Sequence, residues 1–159
     1  MFPELRHASP NFDAVPANEC LGVICHHSVR SFEETIALML RRESKVSYHV
    51  LIAVDGTRCT LVADEHIAWH AGASEFLGRK RCNEFTLGLA FAGDTYTAPL
   101  SDAQLASALD WLALRWDRYA WAVDRVVDHR QVSPGRKDDL NPTEWQRVLA
   151  TIIARFGER

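Results

Sequence analysis

Ser47-Tyr48-His49-Val50-Leu51-Ile52-Ala53-Val54, then Asp55-Gly56, then Arg58-Cys59-Thr60-Leu61-Val62 is the stretch that decides the fold. Two apolar runs flank Asp-Gly, a dipeptide that supplies the positive φ of a tight turn, and so predict a β-hairpin. Leu21-Gly22-Val23-Ile24-Cys25-His26 and Phe85-Thr86-Leu87-Gly88-Leu89-Ala90-Phe91-Ala92-Gly93 are nearly continuous apolar runs. Such runs suit strands buried on both faces, the second of them central. Its small residues allow another element to approach closely. Ser31 with Glu34 and Ser101 with Gln104 match the capping-box pattern, and Asn141-Pro142 supplies an N-cap with proline in the first turn. The first helix is expected over 32–42. Leu105, Leu109, Leu112 and Trp116 mark the second, and Trp145, Val148, Leu149, Ile152, Ile153 and Phe156 the last. One hairpin among irregularly alternating strands and helices predicts an α/β fold, a mixed central sheet flanked by about three helices. We expect one domain over residues 1–159, with 1–19, which carry Pro3, Pro10 and Pro16, as an irregular lead-in.

Composition narrows the function. With 159 residues of which 47% are hydrophobic, the chain can bury a real core. A net charge of −3 and a pI near 6.1 provide no basic field for nucleic acid or an anionic membrane. The N-terminus lacks the basic and apolar regions of a signal peptide, and no run approaches the roughly 20 apolar residues of a membrane span. The expected location is the cytoplasm, with release onto the cell wall by a holin- or effector-type route as the alternative. Cys20, Cys25, Cys59 and Cys82 show no CxxC spacing and read as reduced core residues.

Chemistry gathers at three places: His26-His27, Tyr48-His49, and the segment His129-Arg130-Gln131-Val132-Ser133-Pro134-Gly135-Arg136-Lys137-Asp138-Asp139. Pro134-Gly135 breaks regular structure, so that segment reads as an irregular loop after a strand near Asp124–Asp128. Two histidines and a carboxylate would hold Zn²⁺ with a fourth position open, the catalytic arrangement, which suits amide or ester hydrolysis. Residue types alone leave His26 and His27 open, and Asp138 and Asp139 as well.

Several motifs occur together in a fixed order. Val23-Ile24-Cys25-His26-His27-Ser28, Ser47-Tyr48-His49, Ala68-Trp69-His70-Ala71-Gly72, Gly78-Arg79, Arg81-Cys82-Asn83-Glu84-Phe85-Thr86-Leu87-Gly88, and His129 through Asp139 resemble the zinc-dependent N-acetylmuramoyl-L-alanine amidases. That family includes phage lysozyme-type amidases, the anhydro-muropeptide amidase of wall recycling and the peptidoglycan recognition proteins.

The resemblance implies that His26, His129 and Asp139 bind zinc, with Asp138 as the rival carboxylate. It implies that Lys137 stabilises the oxyanion and that Trp69 and His70 line the substrate groove; Arg81 and Asn83, in the loop that follows, are expected to bind substrate, with Arg81 pairing with a stem carboxylate. One position departs from the pattern. Where recycling enzymes carry a glutamate as proton acceptor, this chain has Ala90. Tyr48, matching a tyrosine of the phage members, is therefore expected to hydrogen-bond the attacking water or the oxyanion. The implied reaction is hydrolysis of the amide between N-acetylmuramic acid and the L-alanine of the stem peptide, in polymeric wall or a muropeptide; the sequence does not fix the oligomeric state, and a monomer is expected. The alternatives are a non-catalytic peptidoglycan-binding module and a zinc peptidase acting within the stem peptide.

Overall fold

The computed structural model describes residues 1–157. The strands are β1 (Glu4–Arg6), β2 (Phe12–Asp13), β3 (Gly22–His27), β4 (Val50–Ile52), β5 (Arg58–Thr60), β6 (Ile67–Ala68), β7 (Glu75–Phe76), β8 (Arg79–Lys80), β9 (Thr86–Phe91) and β10 (Val126–Asp128). The helices are α1 (Phe32–Met39), α2 (Asp102–Trp116), α3 (His129–Val132, a single turn) and α4 (Pro142–Phe156). Six strands form one sheet in the order β1-β5-β4-β9-β3-β10. The sheet is mixed, as the hairpin predicts. β4, β9, β3 and β10 run parallel, whereas β4 and β5 pair antiparallel with Leu51 opposite Cys59. At the turn Gly56 takes φ +91°. The positive φ favours glycine, and a Cβ there would sit 2.7 Å from the Phe2 ring, which would have to move.

Three sequence expectations need correction. Residues 1–19 are not wholly irregular, because β1 lies parallel to β5 and β2 pairs with β6. These strands of two or three residues are too short to show a period. Helix α1 stops at Met39 rather than running to Arg42. The Asn11 side-chain amide donates to the carbonyls of Arg41 and Val46 (both 3.0 Å), drawing the chain away from the helix axis. The segment after β10 is not simply irregular, since His129 opens α3.

The two faces of the sheet have different occupants. Leu87, Leu89 and Phe91 of β9, with Val23, Cys25, Val50 and Ile52 beside them, pack against Trp111, Leu112 and Trp116 of α2 and Trp145, Ile152 and Phe156 of α4. Trp116 and Phe156 stack at 3.9 Å. Both capping-box hydrogen bonds of Ser101 and Gln104 form at α2, and Asn141 caps α4. The alternate residues of these strands, among them His26, Leu51, Gly88 and Ala90, face the other way. That second face carries the candidate site. Cys20, Cys25, Cys59 and Cys82 are buried free thiols, and burial pushes Cys20 up to about 11. Among the described residues no helix is long and apolar enough to cross a membrane.

Candidate active site

His26 belongs to β3 and lies in register with Ala90 of β9. His129 follows β10 directly, and the chain turns there for a local reason. Asp128 accepts from the Gln131 N–H (3.2 Å) while the Gln131 side chain accepts from the Asp128 N–H (2.9 Å), a capping box that starts α3 at His129. The same Asp128 carboxylate, fully buried, accepts from the Leu140 N–H (3.1 Å) and from Arg130 Nε (2.7 Å). The Arg130 N–H donates to the Asp139 carbonyl (2.9 Å), and the His27 N–H donates to the Asp139 carboxylate (3.3 Å). These bonds draw Asp139 inward beside the two imidazoles. Asp138, its neighbour, stays exposed.

Three donor atoms converge. His26 Nδ1 lies 3.0 Å from His129 Nδ1 and 3.6 Å from Asp139 Oδ2, and His129 Nδ1 lies 3.3 Å from Asp139 Oδ1. All three side chains are buried, and their ligand atoms lie within 4.8 Å of one another. The His129 ring donates through Nε2 to the Ala71 carbonyl (3.0 Å), which leaves its Nδ1 lone pair aimed at the cluster. Burial lowers His26 to about 4, so the imidazole is neutral at pH 7. A carboxylate and imidazole lone pairs in mutual contact fit a metal ion.

Around this cluster lies a cleft of about 320 Å³, whose lining includes Tyr48, Trp69, Lys137 and Asp138. The Tyr48 ring sits 5.3 Å from that of His26. Burial, then the Asp139 charge, push the Tyr48 phenol up, so at neutral pH it is an O–H donor rather than a base. Trp69 donates from its indole to Asp13 (3.2 Å) at the cleft edge. Ala90 is fully buried, and its methyl can accept no proton.

Two of the expected substrate contacts also frame the site, and a third lies outside the cleft. His70 is among the residues lining the cleft and is largely buried, with its Nδ1 2.9 Å from His26 Nε2. Asn83 accepts from the N–H groups of His70 (3.1 Å) and Ala71 (2.8 Å), so its carbonyl fixes the backbone that holds His70. Arg81 is exposed and lines a separate groove with Lys80, Ser133 and Arg136. Asp128 and the Ala71 carbonyl carry out positioning that the sequence reading missed. For Asp128 a signal existed, since Asp128-His129-Arg130-Gln131 has capping-box spacing.

The family model of the N-acetylmuramoyl-L-alanine amidases matches residues 16–142, more than half of the chain. The chain belongs to this family. Among curated amidases, the 1,6-anhydro-N-acetylmuramyl-L-alanine amidase AmpD of Citrobacter freundii is 37% identical over 112 residues, 68% of this chain and 58% of that protein. AmpD of Enterobacter cloacae is 35% identical over 108 residues, 67% of this chain and 57% of that protein. The chain therefore spans less than two thirds of the length of these curated amidases. A crystal structure of a selenomethionine AmpD derivative superposes with a TM-score of 0.83 at 25% identity, covering 96% of this chain and 95% of that one. The two share one fold.

Proposed function

We propose that this chain is a zinc-dependent N-acetylmuramoyl-L-alanine amidase that hydrolyses the amide between the lactyl carbonyl of N-acetylmuramic acid and the L-alanine of the stem peptide. The observation that carries the reading is the convergence of His26 Nδ1, His129 Nδ1 and the Asp139 carboxylate at the floor of an open cleft. The donor set, two imidazoles and one carboxylate, is that of a catalytic zinc site with one position left for chemistry. Zinc there supplies Lewis acidity, polarising the scissile carbonyl and making water nucleophilic near neutral pH.

The chain's own residues do the remaining work. The Lys137 ammonium lines the cleft and offers fixed positive charge to the developing oxyanion. Tyr48, held protonated, donates a hydrogen bond to the attacking water or that oxyanion, in a site where Ala90 offers no carboxylate. Trp69 offers an apolar face for a sugar ring or the stem, and Arg81 in the second groove can pair bidentately with a stem carboxylate. The AmpD relatives are named for the anhydro-muropeptide bond, which favours a soluble muropeptide as substrate. The chelator-treated protein should be inert on such a muropeptide and regain activity with added Zn²⁺. Full activity in the stripped protein would refute the zinc reading.

A further inference from the structure

We infer that His70 is a positioning residue that fixes the tautomer of His26, and that Gly88 and Thr86 are present to hold it there. The inference deepens the metal-site reading and rests on it.

The protons can be assigned from one end. A backbone carbonyl only accepts, so the 2.6 Å contact between Thr86 Oγ1 and the Cys82 carbonyl consumes the Thr86 hydroxyl proton. Thr86 Oγ1 then faces His70 Nε2, 3.4 Å away, as an acceptor, which puts the His70 proton on Nε2. His70 Nδ1 is left with a lone pair 2.9 Å from His26 Nε2, so His26 must be the donor in that contact. A neutral imidazole carries one N–H. His26 Nδ1 is therefore bare and faces His129 Nδ1 and Asp139. Carbonyl, hydroxyl and two imidazoles form one directional chain ending at the ligand atom.

The central strand makes room for this chain. A Cβ on Gly88 would stand 2.6 Å from His70 Cγ and 2.9 Å from Cδ2 and Nδ1, distances no side chain tolerates. No turn asks for a glycine there, since Gly88 lies within β9 opposite Ile24, and glycine inside a strand weakens it. The space is taken by the His70 ring. Asn83 fixes the same ring from its backbone side by accepting from the His70 N–H (3.1 Å). A ligand histidine whose second nitrogen donates to a neighbour is oriented and made more basic by it, and losing such a partner typically weakens metal binding about 10–100-fold.

The test is Zn²⁺ affinity by competition with a chromophoric chelator, paired with ¹⁵N NMR of the histidine rings. Wild-type protein is measured first, because failure to bind Zn²⁺ there refutes the metal reading itself. Given wild-type binding, His70→Leu should weaken Zn²⁺ about 10–100-fold and let His26 populate both tautomers. His70→Asn, whose Oδ1 falls near the position of Nδ1, should return affinity to within about threefold. Gly88→Ala should behave like His70→Leu, and Thr86→Val should mix the His70 tautomers with a loss of up to about tenfold. If His70→Leu does not fold, Gly88→Ala and Thr86→Val carry the test. Wild-type affinity in His70→Leu, or in both of those variants, would overturn the inference, as would a loss in His70→Asn equal to that in His70→Leu.

Discussion

The Nδ1 atoms of His26 and His129 face each other at 3.0 Å, although one residue belongs to strand β3 and the other opens helix α3. With the His129 proton on Nε2, donated to Ala71, two lone pairs and the Asp139 carboxylate meet in a buried space. Without a cation the two lone pairs have no proton between them, and the carboxylate keeps the His27 N–H as its donor. Zn²⁺ should therefore stabilise the protein by about 4 kcal/mol at a thousandfold excess over its Kd. Thermal unfolding with and without chelator measures this, and His129→Ala should abolish the difference. An unchanged Tm on chelation would contradict the prediction.

Tyr48→Phe removes only the phenol oxygen. Zinc affinity should stay at the wild-type value while kcat falls by about 10²–10³, the effect of losing one hydrogen-bond donor to an oxyanion. Steady-state kinetics beside a zinc titration separates the two, and near-normal kcat would remove Tyr48 from the mechanism.

Asp128→Ala leaves the Leu140 N–H buried without an acceptor and uncaps α3. The expected cost is about 2–4 kcal/mol by urea unfolding, with weaker zinc binding because Asp139 loses its tether. A cost under about 1 kcal/mol would show that the carboxylate is dispensable to the loop.

His49 makes stability depend on pH. Its Nδ1 accepts from the Gly88 N–H (2.9 Å) and its Nε2 donates to the His66 carbonyl (2.8 Å). Burial lowers it from 6.5 to about 4. Between those values the unfolded chain binds a proton at this position that the folded chain does not. Stability is therefore intact above pH 6.5 and lost as pH falls towards 4, by at most about 3 kcal/mol. Comparing urea midpoints at pH 7 and pH 5 should show a shallower pH slope for His49→Asn than for wild type. Equal slopes would assign the pH dependence to other groups.

The parts of the fold readable in the sequence are those whose determinants are local. Asp55-Gly56 gave away the hairpin, Ser101 and Gln104 the start of α2, and the apolar run Phe85–Gly93 the central strand. The histidine pair was not readable from residue type. His26 and His27 are both buried, and only the alternation along β3 separates them. His26 shares the site face with Gly88 and Ala90, while His27 bonds through Nδ1 with the Thr95 hydroxyl (2.7 Å). The choice of Asp139 over Asp138 follows from backbone hydrogen bonds at Arg130 and Leu140 that no spacing reveals. His70 does line the cleft, but its contacts with Gly88 and His26 could not be read because those residues are far away in sequence. The one-turn helix at His129 was hidden by Pro134-Gly135, whose breaking signal outweighed the capping box just before it.

The central claim is tested most directly by mass spectrometry of the products formed from an anhydro-muropeptide by the zinc-loaded protein. Two products are expected, the intact anhydro-sugar with a free lactyl carboxylate and the intact stem peptide with a free L-alanine amine, both absent after chelation. Cleavage between amino acids of the stem, or the same products from chelated protein, would contradict it.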